Sequence, residues 1–444
     1  MNTPVTSTDT VTDWKVASTH DLIDQLFNRL DRRDCAIRLW NNENLALGTD
    51  EALFTLVLNH PGALRRMFRP PIELSLGKAF IYGDYDIEGD IHAAIAWMDA
   101  LSQMPFSMGD LFALVRRLAT LPKSGGLRYR GRGPARLYGA RHSRARDRAA
   151  ITYHYDVGND FYALWLDRQM TYSCAYFPSG TKDLDTAQEC KFEYICGKLR
   201  LKPGEKLLDI GCGWGGLVIY AAQKYGVTAL GVTLSEKQDT FAAEHIAAAG
   251  LERQAEVRLR DYRDLGDETF DKIVSVGMFE HVGRSHLPEY FTHVYRLLKP
   301  GGLFLNHGIS RRPRKPSRGW KVLFERRVLG AGAFIQRYIF PDGELVPVSA
   351  ANLVAERAGF EVRDIECLRE HYALTLRHWV RRLEAHQAEA ERVTDEVTYR
   401  TWRLYMATSA HGFEVGNINV NQSLLAKLSG GHSHLPWTRA DLYA

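Results

Sequence analysis

The stretch LLDIGCGWGG, Leu207 to Gly216, sets an apolar run carrying one acid, Asp209, against a turn with Gly211, Gly213, Gly215 and Gly216. A short apolar run bounded by glycines predicts a buried strand, and the glycines predict a tight passage into a helix. Outward from it the same rhythm repeats. VTALGVTL reads as the next strand and SEKQDTFAAEHIAAAG as a helix closed by Gly250. EVRLR and FDKIVSVG follow as strands, SHLPEYFTHVYRLLKPGG as a helix and LFLNHGIS as a further strand. Strands alternating with helices predict an α/β fold, a mostly parallel sheet with helices on both faces. Such sheets bind ligands at the carboxyl ends of their strands.

The polar residues fall at those ends. Asp209 lies at the end of the first strand, and the glycines after it let a backbone approach a ligand closely while the helix start favours an anionic group. A purely structural turn uses the same residues. GxGxGG departs from the dinucleotide GxGxxG in its surroundings, and GVTLS lacks the acid that would hold a nicotinamide ribose, so an adenosine cofactor of another kind is the better expectation. Ser235 and Gln238 form an SxxQ pair that also reads as a local helix cap. Cys174, in MTYSCAYF, is either a small buried residue or part of a site, and its neighbours do not decide between them.

The 444-residue chain, 45% hydrophobic and 25% charged, is long enough for two cores. HDLIDQLFNRL, EALFTLVLNH and DIHAAIAWMDALSQM are expected to be amphipathic helices of a smaller, mixed or mainly helical amino-terminal domain, residues 1–123. A basic linker, 124–150, leads to a catalytic domain, 151–444. Between Leu111 and Ala150 eleven Lys or Arg face one acid, Asp147, although the formal net charge is only +4. Three readings stand: a solvated linker, a contact with anionic lipid, or nucleic acid, the last weakened by the lack of any nucleic-acid motif. The amino terminus shows no signal-peptide pattern, and no segment is long and apolar enough to cross a bilayer. Six cysteines without a CxxC pair suit a reducing cytoplasm and predict no metal site.

LLDIGCGWGG followed by GVTLSEKQ resembles the cofactor region of class I S-adenosylmethionine-dependent methyltransferases, which are Rossmann-like, and in particular of the cyclopropane fatty acid and mycolic acid cyclopropane synthases. The resemblance extends over residues 150–425 through YHYDVGNDFYALWLD, MTYSCAYF, RLRDYRDL, GMFEHVG and EHYALTLRHW. LSLGKAFIYGDYDIEGD resembles, more loosely, the extra domain of the longer bacterial synthases. The resemblance implies S-adenosylmethionine as methyl donor. It places Gly211 and Gly213 at the amino-acid part of the cofactor, with Tyr172 and Ser173 on its carboxylate side, and counts Asp209 among the cofactor contacts. Thr233, Leu234 and Gln238 fall beside the ribose and Asp261 and Tyr262 at adenine, core packing being an equal reading for Tyr262.

The resemblance further implies that Cys174, Glu280, His307 and Tyr372, with the backbone at Ile309, hold a bicarbonate ion beside the reacting lipid. Glu280 would accept its proton, and Cys174 would act as a neutral thiol. Read singly, His307 is equally a satisfied core imidazole and Tyr372 an aromatic anchor. The implied reaction is cyclopropanation of a cis double bond in an unsaturated phospholipid acyl chain. The alternatives are a fatty-acid methyltransferase giving a methylene or methyl branch, or a lipid-binding protein with a disabled catalytic domain. The basic and aromatic stretch 311–345 is expected to cover a lipid channel, a surface insertion being the rival reading. These features predict a cytoplasmic enzyme that visits the anionic inner face of the membrane; a homodimer is compatible, but no feature fixes one.

Overall fold

A computed structural model describes residues 10–27, 34–46, 51–105, 107–123, 128–155, 157–313, 325–330 and 332–442. The chain divides into two compact units. The first comprises Met1–Pro134, Pro316–Tyr338 and Thr394–His411, and the second Ala135–Lys315, Ile339–Val393 and Gly412–Ala444. This corrects the single cut expected at residues 124–150. It also assigns most of the 311–345 stretch, of which 314–324 and 331 lie outside the described residues, to the first unit.

The first unit carries a four-stranded sheet of β1 (Cys35–Arg38), β2 (Asn44–Ala46), β3 (Phe54–Leu58) and β4 (Tyr85–Gly89), ordered β2-β1-β3-β4. EALFTLVLNH is therefore a strand and not the expected helix. Its Glu-Ala-Leu opening favours helix, but Phe54, Thr55 and Val57 suit a central strand that pairs on both edges, and pairing overrides propensity. Helix Ile91–Ser102 forms where expected, capped by Asp90, whose carboxylate accepts from the backbone N–H of His92 and Ala93. The late segments join this unit through buried and half-buried polar contacts. Arg400 donates to the carbonyls of Phe80 at 2.8 Å and Tyr85 at 3.0 Å, and Glu73 accepts from the backbone N–H groups of Gly332 and Phe334.

The second unit holds a seven-stranded sheet built from β5 (Lys206–Ile210), β6 (Thr228–Thr233), β7 (Ala255–Leu259), β8 (Phe270–Val276), β9 (Leu298–Arg311), β10 (Glu361–Cys367) and β11 (Ile418–Ala426). Their order is β10-β11-β9-β8-β5-β6-β7, with β7 through β9 parallel and β11 antiparallel to both its neighbours. Successive strand residues feed opposite cores. Leu207, Leu303 and Leu305 pack with Phe192, Ile195 and Val218 on one face, while Leu208, Phe304 and Ile273 pack with Phe291 and Val294 on the other. That two-sided burial makes these strands continuous apolar runs. Helix Arg144–Tyr155 starts inside the stretch 124–150 expected to be a linker, of which 124–127 lie outside the described residues.

Candidate active site

A pocket opens at the carboxyl ends of β5 to β8, where a parallel sheet leaves its turns free to meet a ligand. All ten residues expected to bind cofactor line it. Gly211 and Gly213 have φ of 80° and 56°, the left-handed region that favours glycine. A β-carbon on Gly211 would stand 2.8 Å from that of Met278, whereas one on Gly213 would meet no atom within 4 Å and would project into open space. Thus Gly211 is required by packing, and Gly213 keeps the cradle open.

Asp209 is buried and its Oδ1 has no partner among the described residues. Burial pushes this acid up to about 7, opposed by the charge of Lys191. Lys191 is itself buried and is pushed down to about 8 by desolvation, against the charges of Asp167 and Asp209. Its ammonium donates to Oγ of Ser173 at 3.1 Å, and Gln188 donates to the Ser173 carbonyl at 2.9 Å, fixing the loop at Tyr172 and Ser173.

Across the pocket, Thr233 donates its hydroxyl to Oε1 of Gln238 at 2.7 Å, so the free end of the Gln238 amide is its NH2. Ser235 also caps helix Glu236–Ala248 by accepting from the Gln238 backbone N–H, and the capping and pocket readings of this pair hold together. Burial alone would raise Asp261, but hydrogen bonds from the Arg263 side chain and backbone and its charge outweigh that and hold the acid below its usual range. Tyr262 both lines the pocket and packs edge-on against Tyr290, with ring centroids 5.7 Å apart.

The five residues expected at the reacting centre lie behind this wall, and none of them lines the open pocket. Glu280 sits in the 3-10 turn Phe279–His281, between Met278 and His281 on the wall, and turns its carboxylate the other way. There Oε1 accepts the backbone N–H of Ile309, while Oε2 has no partner among the described residues. The Ile309 amide is thus paired with Glu280. Burial pushes Glu280 up to about 7, against the hydrogen bond from Ile309.

His307, on β9, is pushed down to about 3 by burial and by the charges of Lys191 and Lys198, so its ring is neutral. Its Nδ1 lies 3.2 Å from the Gln422 amide and its Nε2 has no partner among the described residues. The carbonyl of Leu368 draws the other two together, accepting the Cys174 thiol at 3.7 Å and the Tyr372 backbone N–H at 3.1 Å. Burial raises the Cys174 thiol far above its usual range, and it stays protonated at neutral pH. A run of rings joins pocket and cluster: Tyr172 on the wall is 5.2 Å from Trp379, which is 6.0 Å from Tyr372.

Sequence reading missed Lys191, Trp214, Met278 and His281 on the pocket wall. Trp214 and His281 stood inside quoted motifs without a role. Lys191 left a fainter signal, since it lies seven residues from Lys198 on the helix face that buries Ala187, Gln188 and Ile195.

The residues present fit S-adenosylmethionine: an unpartnered buried acid for a cationic group, an open glycine cradle, and polar groups at the ends of β6 and β7. The fold and the pocket together define a class I S-adenosylmethionine-dependent methyltransferase. The family profile described as mycolic acid cyclopropane synthetase matches residues 142–423, and the chain belongs to that family. A domain of unknown function, DUF7884, matches residues 22–106. A probable fatty acid methyltransferase of Pseudomonas putida is 42% identical over 92% of this chain and 95% of its own length. Cyclopropane mycolic acid synthase 1 of Mycobacterium tuberculosis is 37% identical over 62% of this chain and 95% of its own. The crystal structure of mycolic acid cyclopropane synthase CmaA1 complexed with SAH and CTAB aligns with a TM-score of 0.57 at 35% identity, covering 63% of this chain and 97% of that one.

Proposed function

We propose that this chain transfers a methyl group to the double bond of an unsaturated fatty-acyl chain, acting as a fatty acid methyltransferase with a methyl- or methylene-branched product. One observation carries the reading: Glu280 and His307 are both buried beyond the cofactor pocket, and each keeps one polar atom unspent. S-adenosylmethionine, when bound, supplies a methyl group electrophilic enough for a weakly nucleophilic alkene. Methyl transfer leaves cationic character on the acyl chain, and a proton must then depart. Oε2 of Glu280 is an acceptor whose affinity for a proton suits neutral pH. The rings of Tyr172, Trp379 and Tyr372 offer faces to positive charge without becoming nucleophiles.

The fate of the cation decides the product. Loss of a proton from the added methyl with closure of a carbon–carbon bond gives a cyclopropane; loss from the same methyl after a 1,2-hydride shift gives a methylene branch, and loss from a neighbouring chain carbon gives a methyl-branched alkene. The relative matched over 92% of this chain favours the branch, and the family favours the ring as second reading. A phospholipid-borne acyl chain is the finer proposal. It draws support from helix Met108–Thr120, which exposes Phe112 (73%) and Val115 (64%) beside Arg116 and Arg117, a pattern suited to an anionic bilayer on the cytoplasmic side. Bicarbonate stays in the proposal on a narrower footing, as an ion between the Nε2 donor of His307 and the Glu280 carboxyl.

The test is product analysis with purified protein, methyl-labelled cofactor and unsaturated chains offered as free acid, thioester and phospholipid vesicle. A labelled branched chain supports the main reading and a labelled ring the second. Lipid binding with no transfer to any form would overturn both.

A further inference from the structure

A row of side chains crosses three strands behind His307. The β9/β11 register sets His307 opposite Gln422, and the β11/β10 register sets Gln422 opposite Glu366. Residues directly opposite in antiparallel ladders point to the same face, so the three stand side by side. Lys198, 1% exposed, closes the row from helix Leu184–Leu199. Its ammonium donates to Oε1 of Gln422 at 2.8 Å and to Glu366, which also accepts the Tyr194 hydroxyl at 2.7 Å.

The chemistry of these groups fixes a proton. An ammonium has donors only, so the Gln422 atom facing Lys198 must be its oxygen. The NH2 end then faces Nδ1 of His307, which must accept. A neutral imidazole carries a single proton, and with Nδ1 accepting, that proton is on Nε2. Nε2 is the buried nitrogen without a partner among the described residues.

We propose that Lys198 and Gln422 are positioning residues that lock His307 as the Nε2–H tautomer, so that His307 only donates to an oxygen entering the site and never takes the proton. This rests on the proposed role of His307 beside the reacting chain. It divides the labour there, with Glu280 as acceptor and His307 as donor. The strand register supplies the geometry, and the direction of the Lys198 hydrogen bond sets the polarity of the whole row.

The experiment uses full-length protein with 15N-labelled histidine rings and two-bond 1H–15N correlation spectra near pH 7.5, the His307 signals being assigned by their loss in His307→Asn. In wild type the pattern of a neutral Nε2–H ring is expected. In Gln422→Glu the new carboxylate accepts from both Lys198 and the ring, and the proton moves to Nδ1. Turnover should fall about 10- to 100-fold, the loss expected when a buried donor becomes an acceptor, while cofactor affinity stays within about threefold. A wild-type ring that is Nδ1–H or doubly protonated overturns the proposal, as does a Gln422→Glu ring that keeps its proton on Nε2. The wild-type spectrum decides even where the variant does not fold. A tautomer that flips with turnover intact upholds the lock and overturns instead the reading of His307 as a site donor.

Discussion

The backbone N–H of Ile309 donates to one carboxylate oxygen of Glu280 and leaves the other without a partner among the described residues. The anchored oxygen orients the acid, and the open one is available for a proton. Glu280→Gln keeps an oxygen for Ile309 but replaces the basic oxygen with NH2. We expect turnover to drop about 100-fold or more, the usual contribution of a positioned base, with cofactor affinity nearly unchanged. Wild-type turnover should fall as pH drops through about 7, where Glu280 gains its proton. Paired calorimetry and turnover measurements check this, and equal losses in both would point to general damage to the pocket.

The same substitution should stabilise the fold at alkaline pH. Below the ordinary glutamate range, both folded and unfolded chains hold the proton and burial costs nothing extra. Between that range and about 7 only the folded chain binds it, so stability falls as pH rises; above about 7 the cost of the buried charge is complete. The raised proton affinity corresponds to roughly 3 kcal/mol, which Glu280→Gln should recover at pH 8 and not at pH 4. Thermal melts at the two pH values measure the difference, and a variant less stable than wild type at pH 8 would contradict it.

Gln238→Ala removes the acceptor of the Thr233 hydroxyl and the only free amide on that side of the pocket among the predicted contacts. Cofactor affinity should weaken about 5- to 10-fold, one net hydrogen bond, while turnover at saturating cofactor stays within about twofold. The Ser235 cap survives, because it uses the backbone of residue 238. Helicity by circular dichroism should therefore not change. An unaltered dissociation constant would remove Gln238 from the cofactor contacts.

The pocket was legible because its residues sit where local signals are strong. LLDIGCGWGG, GVTLSEKQ and RLRDYRDL each end a strand, and strands buried on both faces announce themselves as apolar runs. The strand Phe54–Leu58 was misread because Glu51, Ala52 and Leu53 just before it favour helix and its pairing partners are distant in sequence. The return of residues 394–411 to the first unit was invisible, since Arg400 reaching carbonyls some 315 to 320 positions away leaves no local pattern. The Lys198–Gln422–His307 row was hidden for a related reason. It exists only where a helix meets the register of β9 and β11, which no single stretch of sequence displays.

Lys191 gives the last prediction. It donates to Ser173, and its charge holds the proton affinity of Asp209 below what burial alone would impose. Lys191→Met should therefore push Asp209 above about 7 and leave it neutral near physiological pH, where it no longer attracts the cationic part of the cofactor. In wild type, affinity should fall as pH drops through about 7; in the variant, the fall should begin at higher pH. Loss of a buried ion partner should also destabilise the fold by about 3 kcal/mol, so the binding series belongs well below the melting temperature. Asp209→Asn is the control, since it should bind cofactor weakly and without this pH dependence. Calorimetry from pH 6 to 9 on the three proteins separates the effects, and a Lys191→Met profile that overlays the wild-type one would show that the two buried charges act independently.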